Sequence, residues 1–280
     1  MSQFSYGRLH VPESFNTLAT ALHVHDGTPL KTVSHDIPLG VLDQQDLLHQ
    51  GIYVSEFIPQ ATDVDALGSC TANATTAALS FLLDEADFLT LPSKLSVGAA
   101  LKPIAGYEDT VAAEEFAIGF YHDCTDQTGT PDQEYPPTDC GSSGPYIVEL
   151  LQRLGLVTTA KIAASPQDLV SLLQSGPILQ GTPFLQAWEE PNSGGFVDGD
   201  GSHTTFEQQL AYGIAGGHET VIAAIETLAL TETGHVIPHR TVLRVRNSWS
   251  ASWGDHGDFR IHLSTLSYIL SHCDFRLLVK

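Results

Sequence analysis

Asn247-Ser248-Trp249-Ser250-Ala251-Ser252-Trp253-Gly254-Asp255-His256-Gly257-Asp258-Phe259 is the stretch from which the rest of this chain can be read. An asparagine carbonyl at its head can accept the second N–H of a histidine ring and so fix that ring's tautomer. Trp249 can cover such a contact and keep water away from it. The stretch joins two short strand patterns, Arg240–Trp249 and the alternating run Asp258-Phe259-Arg260-Ile261-His262-Leu263. It asks for two partners: a histidine, and a nucleophile for that histidine to serve.

Both stand upstream. Gly216-Gly217-His218-Glu219 enters the apolar run Thr220-Val221-Ile222-Ala223-Ala224-Ile225. Imidazole is a natural general base, and the two glycines ahead of His218 allow close approach by another segment or a substrate. Leu67-Gly68-Ser69-Cys70-Thr71 leads into the pattern from Cys70 to Asp84, where small and then apolar residues run without glycine or proline and predict a helix. A cysteine at a helix N-terminus faces unpaired backbone N–H groups, which favour the thiolate, its nucleophilic form.

Together these segments resemble the papain-like cysteine peptidases. That family carries a G-S-C motif at the head of a helix, then G-x-H, then N-S-W-x-x-x-W-G-x-x-G-[YF]. The third motif is met here at Asn247, Ser248, Trp249, Trp253, Gly254, Gly257 and Phe259. His218 follows Cys70 by 148 residues, within the range of about 130–150 for the papain group, and Asn247 follows it by 177, beyond that range. The 28 residues between His218 and Asn247 leave room for an enlarged hairpin. The resemblance implies Cys70 as nucleophile, His218 as base, Asn247 as orienter and Trp249 as support. It also implies an α+β fold of two lobes, a helical first lobe and an antiparallel, barrel-like second lobe, with the site in the cleft between them. Ser143 and Gly144, within Cys140-Gly141-Ser142-Ser143-Gly144, resemble the family's glycine-rich strip that binds an extended peptide. The activity implied is hydrolysis of peptide or protein substrates through an acyl-enzyme, with no metal or organic cofactor.

The sequence departs from the family at one position that bears on the chemistry. A glutamine six residues before the cysteine normally helps bind the oxyanion, and Val64 stands there instead. Losing one oxyanion donor costs about 10²–10³ in rate. Gln60, four residues earlier, is the side chain that a bulged loop would bring to the site. Val64 motivates a rival reading as an impaired pseudo-enzyme or peptide-binding module, and acyl transfer by an amidase or transpeptidase at the same triad is a third. Thr71 replaces the family's aromatic, and Leu67 the first cysteine of C-G-S-C.

Organisation and composition agree with an enzyme of this kind. Residues 1–59 read as an extended N-terminal segment, either part of the fold or a short prosegment, 60–175 as the helical lobe and 176–280 as the β-rich lobe. Further helices are expected over Val111–Tyr121, from Pro145 to Gly155, and from Ser165-Pro166 to just before Gly176-Pro177. Twelve basic against 33 acidic residues give a formal charge of −21. Such a surface repels phosphate backbones and anionic lipid, so neither nucleic acid nor membrane is an expected partner, and basic or neutral peptides are preferred. With no basic–apolar leader and no apolar run of spanning length, a cytoplasmic location is expected. His235 and His239 are separated by Pro238, against a helical metal pair. Asp198-Gly199-Asp200-Gly201-Ser202 begins like a calcium loop, but His203 and Gln209 occupy positions that need Gly and Glu, so a plain turn is expected. Cys124 and Cys140 bracket a loop and could pair in an oxidising compartment. Phe184, Trp188 and Ser193–Phe196 are candidates for the specificity pocket.

Overall fold

A computed structural model describes residues 19–21, 29–44, 67–125, 134–136 and 138–280. The first helix, α1 (Cys70–Leu82), is enclosed almost all round, with every residue from Cys70 to Ser80 buried. Its composition permits this. Alanines and threonines let neighbours approach closely, and Thr75 and Thr76 return their hydroxyls to the carbonyls of Thr71 and Ala72 at 2.7 and 2.8 Å. Around α1 lie α2 (Glu85–Leu89), α3 (Thr110–Thr125) and α4 (Gly144–Arg153). Pro145 occupies the first turn of α4 and Gly155 follows its end, as the sequence predicts. In α5 (Pro166–Leu172) the Ser165 hydroxyl accepts the Asp168 N–H at 3.1 Å and caps the helix.

The strands are β1 (Ala19–Ala21), β2 (Val33–Ser34), β3 (Thr159–Ile162), β4 (Ile178–Leu185), β5 (Ile214–Thr227), β6 (Val242–Arg246), β7 (Asp258–His262) and β8 (Asp274–Val279). They form one sheet in the order β1-β3-β8-β4-β5-β6-β7, with β2 paired to β5. Every pairing is antiparallel except β1 with β3. The architecture is therefore α+β. The sheet draws on the whole chain, since β1 and β2 come from the first stretch and β3 from the helical one.

Burial divides into two cores. Leu67, Leu79, Phe116, Phe120 and Leu151 gather with the sheet residues Leu179, Val221 and Leu278. Phe184, Trp188, Ile222, Val245, Trp249, Phe259 and Phe275 form the other. Period two explains the split: Val221 and Ile222 are neighbours on β5 and point to opposite faces. Two expectations change here. Phe184 and Trp188 belong to the second core, 1% and 0% exposed, because aromatic residues this large are worth most when fully enclosed. Two helices, α6 (His203–Tyr212) and α7 (Leu263–Tyr268), interrupt the strand-rich half. Ser202 caps α6 by accepting the Thr205 N–H at 3.2 Å, a local signal that the apparent calcium loop concealed. Asp198 in that loop accepts the His262 N–H and the Thr265 hydroxyl at 2.8 and 2.6 Å, so it builds the turn. Among the described residues no group of side chains could hold a metal ion, and no helix is long and apolar enough to cross a membrane.

Candidate active site

His218 lies on β5 opposite Thr182 of β4, and Asn247 directly follows β6. His218 Nε2 meets Asn247 Oδ1 at 2.8 Å, and that oxygen also accepts the Ser248 N–H at 2.8 Å. An acceptor on Nε2 makes that nitrogen the N–H, so the basic lone pair of the neutral ring sits on Nδ1. Trp249 stacks on the imidazole, ring centroids 4.8 Å apart at 28°, and the edge of Phe184 meets it at 5.1 Å. His218 is fully buried. Burial pulls its pKa down to about 4, against the opposing effect of the Asn247 bond.

The turn after Asn247 is built to return the chain. Asn247 N–H donates to Gly257 O at 2.9 Å and Gly257 N–H to Trp253 O at 2.8 Å. Gly257 has φ of 88°, and a Cβ there would lie 2.5 Å from Val41, so only glycine fits. Asp258 accepts from Arg244 Nε at 2.6 Å and from Arg246 Nε, which clamps the base of the β6–β7 hairpin. The glycine and tryptophan spacing of this motif is thus the spacing of a turn that holds Asn247 under Trp249.

Cys70 is the first residue of α1, buried, with Ser69 at the N-cap. Helix α1 packs against β5, the strand of His218. Its first turns share a small cavity with the Asn247 segment, lined by Asn73, Ala74, Ala77, Glu219, Thr220, Asn247 and Ser248 among others. The three motif segments therefore converge on one junction. The Ser69 hydroxyl makes no cap bond; it donates to Asn73 Oδ1 at 2.7 Å.

Three side chains that the sequence does not single out hold this junction, Gln44 and Glu114 buried and Asp139 half-buried. Gln44 donates from Nε2 to Leu67 O at 2.9 Å and accepts the Ser248 hydroxyl on Oε1 at 2.6 Å. Its backbone repeats the link, N–H to Ser248 O at 3.1 Å, with Leu67 N–H reaching Gln44 O at 3.5 Å. Asp139 accepts the Gly68 N–H and the Tyr121 hydroxyl, both at 2.8 Å. Glu114 on α3 accepts Asn73 Nδ2 at 2.6 Å and the Asp43 N–H. Gln44 stands 26 residues before Cys70, so motif spacing points elsewhere. The available signal was the pair Asp43-Gln44 after an apolar run, close to no other chemistry in sequence.

Ser143 is the buried N-cap of α4, and Gly144 opens the helix. A Cβ on Gly144 would press on the Arg276 guanidinium and lie 2.9 Å from Asp274 Oδ1, so packing against β8 favours glycine there. Gln60 and Val64 lie outside the described residues. Cys124 and Cys140 are both present as thiols, and burial pushes the Cys124 pKa well up.

Comparison with solved structures finds xylellain, a cysteine protease from Xylella fastidiosa, at 17% identity over 99% of this chain and 96% of that one, TM-score 0.46. It also finds procathepsin B from Trypanosoma congolense, at 11% identity over 97% and 85%, TM-score 0.48. Bromelain from Ananas comosus, solved with the inhibitor E64, matches at 13% identity over 79% and 94%, TM-score 0.38. These neighbours are papain-like cysteine proteases. No protein-family model matches the sequence, and no curated protein matches it.

Proposed function

We propose that this chain is a papain-like cysteine peptidase working through Cys70, His218 and Asn247. The observation that carries the reading is the 2.8 Å contact from His218 Nε2 to Asn247 Oδ1 beneath Trp249, on a strand packed against the helix that Cys70 heads. In that arrangement proton exchange falls to Nδ1. The Cys70 thiol gives its proton to His218, and the thiolate sulfur attacks the peptide carbonyl carbon to form a tetrahedral oxyanion. That intermediate collapses with cleavage of the C–N bond, and His218 gives the proton to the departing amine. Water, losing a proton to His218, then attacks the thioester, and the acid product leaves as the Cys70 thiol re-forms.

The Cys70 backbone N–H, at the head of α1, supplies one oxyanion donor. Gln44 supports the role of the second. Its amide lies between Leu67 and Ser248, each close in sequence to a member of the triad, and Nε2 carries two hydrogens of which the Leu67 carbonyl takes one. Gln60 is the alternative. Ser143 and Gly144 are placed in this reading along the peptide-binding strip.

The test is intact-mass analysis after treatment with an epoxide inhibitor of papain-like enzymes, alongside hydrolysis of a peptide library. The reading requires a single adduct on Cys70, lost in Cys70→Ala and strongly slowed in His218→Ala, with cleavage abolished in Cys70→Ala. An adduct without cleavage would favour the binding-module reading. A folded protein without adduct or cleavage would overturn the proposal.

A further inference from the structure

Glu114 is a buried carboxyl that the mechanism above does not use, yet its two oxygens reach two parts of the site. Oε2 accepts Asn73 Nδ2 at 2.6 Å, and Asn73 Oδ1 in turn accepts the Ser69 hydroxyl at 2.7 Å. Ser69 is the residue before Cys70. Oε1 accepts the Asp43 N–H, and Asp43 is followed by Gln44, which binds Leu67 and Ser248.

Both contacts are donors, an arrangement that suits an ionised carboxylate. A neutral Glu114 would instead have to donate its own proton. The chain can accommodate this if the Asn73 amide turns over: the carboxyl O–H donates to Asn73 Oδ1, and Asn73 Nδ2 donates to the Ser69 hydroxyl oxygen. The chain of bonds is kept and its direction is reversed. Burial disfavours ionisation of Glu114 most strongly, the hydrogen bonds from Asp43 and Asn73 oppose that effect, and the Asp43 charge adds a smaller effect in the same direction as burial. Helix α1 brings Asn73, and Cys70 is the titratable residue in its sequence. Glu219 and Arg246 line the small cavity together with Asn73, and the neighbouring Glu115 is paired with Lys102 at 2.7 Å.

We propose that Glu114 is a positioning residue of this site, its ionisation setting the direction of a buried hydrogen-bond chain that ends on Ser69, next to the nucleophile. The inference rests on the reading of Cys70 as that nucleophile.

The experiment measures the rate of Cys70 alkylation by iodoacetamide, followed by peptide mass mapping, for the full chain and for Glu114→Gln at pH 6 and pH 9. Glutamine keeps the shape and cannot ionise. At pH 6 the variant matches the parent within about twofold, and at pH 9 it is about tenfold slower, the effect of one charge-assisted bond. Asn73→Ala cuts the chain at its middle, so adding Glu114→Gln to it produces no pH-dependent change. A variant-to-parent ratio that is the same at both pH values, as for a purely structural role, overturns the inference. If Cys70 in the parent reacts no faster than an ordinary thiol, the peptidase reading falls first and takes this inference with it. A reactive Cys70 with a constant ratio removes this inference alone.

Discussion

Trp249 lies over His218 with ring centroids 4.8 Å apart and planes at 28°, closing the face of the imidazole whose Nε2 is bound to Asn247. The indole is itself braced, with Phe184 at 5.3 Å and Trp253 at 5.2 Å edge-on. The lid over the histidine is therefore an outgrowth of the second core, and its first consequence is electrostatic. Removing it with Trp249→Ala admits water to the ring and raises the His218 pKa from about 4 toward the ordinary 6.5. Trp249→Phe keeps a ring in place and shifts it less. Imidazole NMR titration checks the order alanine, phenylalanine, parent; equal values in all three would show that Trp249 does not govern the burial.

Asn247→Ala removes the acceptor on Nε2 and leaves the ring free to adopt either tautomer. Peptide hydrolysis should fall about tenfold or more, in kcat rather than KM, because orientation is lost and binding is not. Asn247→Asp keeps an acceptor and should retain more activity than alanine. A change confined to KM would show that Asn247 serves the substrate instead.

Stability should carry the signature of two buried groups that are shifted in opposite directions. His218 is held to about 4, so as pH falls from 6.5 to 4 the unfolded chain gains a proton that the native chain refuses. Stability is lost in that window, by about 3 kcal/mol at most. Glu114 is raised to about 8, so between about 4.5 and 8 the native state keeps a proton that the unfolded state releases. Here stability falls as pH rises, by about 5 kcal/mol at most. The two slopes oppose each other between 4.5 and 6.5; above 6.5 the Glu114 slope continues, and His262, raised by its bond to Asp198, adds a decline of the same sign. Denaturant midpoints across pH should show a decline from pH 6.5 to 8 that Glu114→Gln reduces to the part due to His262. A decline that survives the substitution undiminished must come from another group.

Gly144→Ala separates packing from binding. The new Cβ meets Arg276 Nη1, and the guanidinium is itself buried. A loss of about 1–3 kcal/mol in stability is expected from overpacking. If Gly144 also receives the peptide backbone, KM rises for the protein that remains folded. Unchanged kinetics with lowered stability would assign Gly144 to the fold alone.

How far the sequence could be read depends on whether an interaction is local. The helix headed by Cys70, the cap at Ser165 and the turn from Asn247 to Phe259 are each set by residues within a few positions of one another, and each is legible. His218 and Asn247 were legible as types of chemistry, because their motifs name them. The links that join these segments were not. Gln44 meets Ser248 across 204 residues, Asp139 meets Gly68 across 71, and Glu114 meets Asn73 across 41. Nothing in a single chain's periodicity registers such pairs. The enclosure of Phe184 and Trp188 was not legible for a related reason: an aromatic residue in a strand pattern reads alike whether its neighbours enclose it or leave it open.

The choice between Gln44 and Gln60 as the second oxyanion donor can be made by comparing two reactions of Cys70. Acylation by a peptide p-nitroanilide passes through an oxyanion; alkylation by iodoacetamide does not. A side chain that donates to the oxyanion affects the first reaction and spares the second. Gln44→Ala should therefore lower acylation by about a hundredfold, the scale of one lost donor, while alkylation is unchanged. Gln60→Ala should leave both near the parent. The contacts of Gln44 with Leu67 and Ser248 sharpen the test, because a clamp that merely holds the two segments together would slow both reactions when cut. Loss of acylation in Gln60→Ala alone would move the donor to Gln60 and leave Gln44 as a strut between the nucleophile's turn and the asparagine's.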